Sequence, residues 1–147
     1  MKKASSELLL LDVSVLLAIA WPNHQFHVAA TRRLEVARGR WATCALTELG
    51  FIRLSSNPAV VKAAKSPAEA ARLLAALVGD DRHEYLESLP SPVEGETRPI
   101  FDNLLGAGQV TDAYLLALAG RHKATLLTFD ARLKALARSA AGVEILL

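Results

Sequence analysis

The sequence predicts an α/β domain with a mostly parallel central sheet and helices on both faces. Three observations carry this. Short apolar runs alternate with longer helical patterns along the chain, as strands joined by helical crossovers do. The first run, Leu8–Leu11, is four leucines with no polar face, which suits a strand buried on both sides. Residues of the AVILMFWYC set make up 52% of the chain, which excludes disorder and is enough to bury both faces of some elements. A length of 147 residues is that of one domain able to form its core without staples. No internal repeat, low-complexity tract or long linker divides it.

The elements follow in order. After the Leu8–Leu11 strand, Val13 to Ala20 reads as a helix stopped by Trp21-Pro22. Asn23 can cap a second helix running to about Arg38, with Phe26, Ala30, Leu34 and Ala37 on one face and Gly39 as its stop. Trp41 to Ala45 reads as the second strand. Thr47 can cap the helix carrying Glu48, Phe51, Ile52 and Leu54, which Asn57-Pro58 breaks. Ser66-Pro67-Ala68-Glu69 offers a capping box with proline at the first helical position, and that helix runs to about Val78. Tyr85-Leu86 is a short strand, and Pro90 to Pro99 a loop. A helix around Ile100 to Leu105 ends at Gly106. Thr111 can cap a helix from Asp112 to Arg121. Ala124–Phe129 is a strand, Ala131 to Arg138 a helix, and Val143 to Leu147 a final strand.

Charge and targeting exclude several classes. The 17 basic and 15 acidic residues give a net charge of +2, so no global field announces a nucleic-acid or membrane partner. Cys44 is the single cysteine, which excludes an internal disulfide and suits a reducing compartment. Met1-Lys2-Lys3 before leucines resembles the start of a signal peptide. Asp12 in the apolar stretch and the absence of a small-residue cleavage site argue against one. The stretch is also too short to span a bilayer. The chain reads as cytoplasmic.

Most carboxylates sit in polar surroundings. Four sit among apolar neighbours: Asp12 in LLLLDVSVLLA, Glu48 in CALTELGF, Asp112 in QVTDAYLLALA and Asp130 in LLTFDARL. Singly, each has a structural explanation. Glu48 and Asp112 fall in first helical turns, where acids favour the dipole. Asp12 and Asp130 can cap the helices after their strands. Together they crowd the carboxyl end of a parallel sheet, where open α/β folds place ligands. Four such acids repel one another. A hard divalent cation with oxygen ligands relieves that, magnesium or manganese best of all. Ser14 and Thr128 are hydroxyls two residues from Asp12 and Asp130. Each is either a group orienting a carboxylate or simple turn chemistry. Arg32, Arg33, Arg38 and Arg40 form either a solvated face or a phosphate contact. His24 and His27 lack the further ligands a zinc site needs. No glycine-rich phosphate loop and no G-x-S-x-G elbow is present.

The ordered acids resemble those of PIN-domain ribonucleases, and within them the VapC toxins of bacterial toxin–antitoxin pairs. The resemblance runs through LLLDVSVLLA, PNHQFH, TELGFIRLSSNPAV, the Ser66-Pro67 helix, VTDAYLLALAGRHKATLLTFD and the closing strand. It covers nearly the whole chain, so residues 1–147 are expected to form one PIN-like, Rossmann-like domain. By position, Asp12, Glu48 and Asp112 match the family's principal acidic metal site, and Asp130 its fourth acid. Thr128 matches the hydroxyl residue before that acid. Ser14 stands where many relatives carry asparagine. The resemblance implies a Mg²⁺- or Mn²⁺-dependent endoribonuclease, a homodimer and inhibition by a cognate VapB-type antitoxin. An antitoxin helix is expected in an apolar groove lined by residues including Leu16, Leu17, Phe51 and Leu54.

Two other readings compete. A phosphate-accepting α/β domain of the haloacid-dehalogenase type needs a second aspartate at position 14, where Ser14 stands. A receiver needs a lysine after a late strand, where Thr128-Phe129-Asp130 stands. A non-enzymatic PIN-like binding domain is disfavoured by the presence of all four acids.

Overall fold

The computed structural model describes residues 7–36, 39–137 and 142–146. In order they form β1 (Leu8–Leu11), α1 (Val13–Ala20), α2 (His27–Val36), β2 (Arg40–Cys44), α3 (Ala45–Ser55), α4 (Pro67–Val78) and β3 (His83–Leu86). Then follow α5 (Val110–Arg121), β4 (Thr125–Thr128), α6 (Leu133–Leu136) and β5 (Val143–Ile145). The five strands make one sheet in the order β3-β2-β1-β4-β5. Every pairing is parallel, with Leu10 opposite Ala42 on one side and Leu126 on the other. The order reverses direction at β1, so the crevice outside the carboxyl ends of β1 and β4 is the topological switch point.

β1 alternates its leucines between two cores. Leu8 and Leu10 pack with Leu115, Leu118 and Leu126 beneath α5 and α6. Leu9 and Leu11 pack with Leu16, Phe51, Leu74 and Leu127 beneath α1 to α4. The period of two thus gives each face its own apolar set, and the absence of a polar face in LLLL follows from helices on both sides. Gly50 allows α1 and α3 to approach closely, since a Cβ there would lie 2.8 Å from the Val13 side chain.

Several boundaries differ from the sequence reading, for local reasons. α2 begins at His27, not after Asn23, because His24 Nδ1 accepts the Phe26 N–H and holds residues 22–26 in turns. Its predicted end at Ala37 and Arg38 lies outside the described residues. Cys44, not Thr47, is the N-cap of α3. Thr47 is at the third helical position, where its Oγ1 accepts the Cys44 N–H. The Ser66–Glu69 capping box forms as expected. The helix expected over Ile100–Leu105 is a 3₁₀ turn at Arg98–Phe101, where Ile100 and Asp102 donate to the carbonyls of Thr97 and Pro99. α5 starts at Val110 with Gln109 as N-cap, so Thr111 does not cap it. α6 spans only Leu133–Leu136.

The leucines expected to line a groove include core residues. Leu16 and Phe51 are fully buried and Leu17 nearly so. Leu54, the fourth of that set, is half-buried. Arg33 is also no free phosphate ligand. It donates to Glu7 and Glu144 and ties the chain before β1 to β5. No helix among the described residues is long and apolar enough to cross a membrane.

Candidate active site

β1 delivers Asp12 directly beyond its last leucine. The Asp12 backbone N–H donates to the Leu127 carbonyl, continuing the β1–β4 ladder by one bond. Its carboxylate does two things. Oδ1 accepts the Val13 N–H and caps α1, while Oδ2 accepts from Thr128 Oγ1 at 2.7 Å. The cap explanation and the site explanation of Asp12 are therefore compatible. The fully buried Thr128 hydroxyl also accepts the Asp130 N–H, so one side chain links both strand-end acids. The Asp12 carboxylate does not bond to Ser14, which occupies the second position of α1 and is half-buried.

Asp112, in the first turn of α5, lies near enough to Asp12 and Asp130 for their charges to act on it. Burial first, then the charges of Asp12 and Asp130, push its carboxyl above the ordinary carboxylate range, with Arg132 opposing. Asp130 behaves oppositely. Its carboxylate accepts from Arg132 Nε at 3.0 Å and Nη2 at 2.8 Å, and from the Arg132 backbone N–H. These bonds hold its pKa below the usual value against a smaller burial effect. Asp130 thus forms a turn with Arg132, which is itself the N-cap of α6.

Glu48 is turned toward a different partner. Its Oε2 accepts from Thr43 Oγ1 at 2.6 Å, and that hydroxyl lies 2.7 Å from His83 Nε2. Since the hydroxyl gives its one proton to Glu48, it must accept from His83. The chain of donors runs from β3 through β2 to α3. Burial lowers the His83 pKa, although Glu48, Asp80 and Glu84 oppose it. A ring neutral at physiological pH can still donate from Nε2.

The structure therefore brings Asp12, Asp112 and Asp130 to one crevice, while the Glu48 carboxylate is engaged by Thr43. Among the described residues, no three His, Cys, Asp or Glu side chains stand close enough to hold a metal ion as they lie. The donor chemistry nevertheless fits a hard divalent cation. All donors are carboxylate oxygens, and the like charges that raise Asp112 are those a cation would offset. Sequence reasoning passed over Thr43, His83 and Arg132. For Arg132 a signal was present: the Asp130-x-Arg132 spacing is that of a side-chain turn. For Thr43 and His83 the signal was a polar residue near the end of one strand and another at the start of the next, which meet only because β3 lies beside β2, with His83 opposite Trp41 and Thr43 opposite Tyr85.

Apolar surface lies beside the acids. A cleft of about 750 Å³ is lined by Leu46, Leu49, Leu89, Phe101, Val110 and Tyr114 among others. It opens between the first turns of α3 and α5, the helices that carry Glu48 and Asp112.

Comparisons with known proteins bear on the family and the fold. The PIN domain family matches residues 9–139. Ribonuclease VapC38 of Mycobacterium tuberculosis is 43% identical over 141 residues, 93% of this chain and 96% of that protein. Ribonuclease VapC39 of the same species is 40% identical over 138 residues, 93% of this chain and 98% of that protein. Among solved structures, VapBC2 from Rickettsia felis, bound to a DNA fragment from its promoter, gives a TM-score of 0.66. It is 14% identical and covers 95% of this chain and 99% of that one. VapC20 of M. tuberculosis, a sarcin–ricin loop cleaving toxin, also gives 0.66. It is 15% identical and covers 86% of this chain and 93% of that one. At such identities the two structures speak for the fold alone, whereas the family match and the curated relatives span most of the sequence. On those grounds this chain belongs to the PIN-domain family, in its VapC group.

Proposed function

We propose that the chain is a metal-dependent endoribonuclease, the toxin of a type II toxin–antitoxin pair acting in the cytoplasm. The observation that carries this is that Asp12 and Asp130, at the carboxyl ends of neighbouring strands, are linked through Thr128, with Asp112 near enough that, after burial, their charges raise its pKa. Asp12, Glu48 and Asp112 would hold Mg²⁺ or Mn²⁺, with Asp130 as the fourth acid. Such an ion supplies a polarised phosphate oxygen and a more acidic water.

The chain's own residues do the rest. Thr128 fixes Asp12, leaving Oδ1 on the helix cap and Oδ2 toward β4. Thr43, backed by His83, fixes Glu48. Burial, and then the charges of Asp12 and Asp130, disfavour the ionised form of Asp112, and a bound cation would offset that repulsion. RNA with unpaired bases is the suited substrate, since single-stranded loops present a backbone that can be splayed into the site. The partners are a VapB-type antitoxin and a second copy of the chain. Supporting the homodimer, Leu49 is 67% exposed at the rim of the apolar cleft and Leu105, nearby in sequence to its lining residues, is 92% exposed.

The test is cleavage of a labelled RNA with magnesium, with manganese and with EDTA, for wild type, Asp12→Asn and Asp112→Asn. Cleavage is expected only with the cations and only in wild type, with both variants folded. Cleavage undiminished in EDTA would overturn the reading.

A further inference from the structure

Arg132 is a cation beside the acidic crevice, paired with Asp130. Its side chain is 90% exposed, yet it lies in a two-toothed contact with Asp130. The contact uses Nε and one N–H of Nη2. A guanidinium carries five N–H groups in one plane, so three remain, directed away from the carboxylate toward solvent. Asp112 also feels this charge, and Arg132 in turn feels Asp112. The guanidinium thus grips Asp130 with one edge of its fork and presents the other edge outward. A planar fork can grip a carboxylate with one edge and a phosphate with the other. The Arg132 backbone N–H also donates to Asp130, so main chain and guanidinium are anchored on the same carboxylate.

We propose that Arg132 is a substrate-binding residue: held by Asp130, it receives a backbone phosphate of single-stranded RNA beside the acidic crevice. The inference rests on the ribonuclease reading above and names the group that offsets the repulsion between acids and phosphate. It leaves the chemistry at Asp12 and Asp112 as described. A purely structural Arg132 would only prop Asp130, and Arg132→Lys, which keeps the charge, would then bind RNA as wild type does.

The experiment measures binding of a short fluorescein-labelled single-stranded RNA by anisotropy, in EDTA, across a salt series beginning at low salt. Wild type is compared with Arg132→Ala, Arg132→Lys and, as a surface control, Arg121→Ala, whose exposed partner is Glu96. Arg132→Ala is expected to weaken binding about tenfold, as loss of a charge-assisted contact does. It should also reduce the slope of log affinity against log salt by about 0.7, the value for one phosphate on a single strand. Arg132→Lys should restore the slope but only part of the affinity, having the charge without the fork. Arg121→Ala should change neither. Thermal melting should be the same for all four, since the side chains are exposed. Equal affinity and slope in Arg132→Ala and wild type would overturn the inference while leaving the ribonuclease reading intact. A wild type that binds no RNA at low salt would overturn it too, and an added absence of cleavage with magnesium would remove the ribonuclease reading as well.

Discussion

Thr43 Oγ1 stands 2.6 Å from Glu48 Oε2 and donates to it, from a side chain fully shielded from solvent. The bond crosses from the end of β2 into the first turn of α3. It gives Glu48 a fixed direction, and His83 completes the hydroxyl's hydrogen bonding from the other side.

Thr43→Val keeps the shape and removes the hydroxyl. His83 Nε2 then loses its acceptor and Glu48 its donor. Stability is expected to fall by about 1–3 kcal/mol, the usual cost of orphaning a buried polar group. RNA cleavage should fall by about tenfold or more, as when the support of a metal-ligating group is lost. Thr43→Ser should restore most of both. Urea unfolding and a cleavage assay measure them, and unchanged cleavage in Thr43→Val would remove the positioning role.

Thr128→Val tests the second hydroxyl. Thr128 serves Asp12 and the Asp130 backbone at once. The expected loss is about 10- to 100-fold in cleavage, with a higher magnesium requirement. Wild-type activity at limiting magnesium would show that Val13 alone suffices to orient Asp12.

Asp112 makes stability depend on pH with a definite sign. Its folded pKa is raised, first by burial and then by Asp12 and Asp130. Its contribution is complete below the unfolded value, about 3.9, and is lost as pH rises through the folded value. At neutral pH in EDTA the ionised group therefore weakens the fold. Asp112→Asn should stabilise the metal-free chain there, on the order of 0.5–1 kcal/mol, and the gain should vanish as pH falls below the unfolded value. With magnesium the order should reverse, because wild type alone gains binding energy. Melting curves at both pH values decide it. A destabilised Asp112→Asn in EDTA at neutral pH would mean that the first-turn dipole contribution prevails.

Leu49→Glu tests the homodimer. Leu49 is 67% exposed beside the apolar cleft. A charge there should leave the monomer folded and prevent self-association, since a buried unpaired carboxylate is costly. Light scattering after gel filtration should give the mass of two chains for wild type and of one for the variant. Equal masses would place the self-contact elsewhere or exclude it.

Much of this protein was legible in local pattern. The four leucines of β1, the Ser66–Glu69 capping box and the strand–helix alternation depend on neighbours within a few residues, so they read directly as elements and as a parallel sheet. The positions of Asp12 and Asp130 just beyond strand ends followed from the same alternation. Tertiary structure decided everything that depends on register between distant strands. Thr128 reaches Asp12 across 116 residues only because β4 lies beside β1, with Leu127 opposite Leu11. Glu48 turns to Thr43 because His83, brought alongside by β3, orients that hydroxyl. Leu16 and Phe51 look like groove residues by their helical positions, and become core because α4 closes over them. Side-chain hydrogen bonds and burial are set by which elements become neighbours, and periodicity along the chain carries no record of that beyond its own turn or strand.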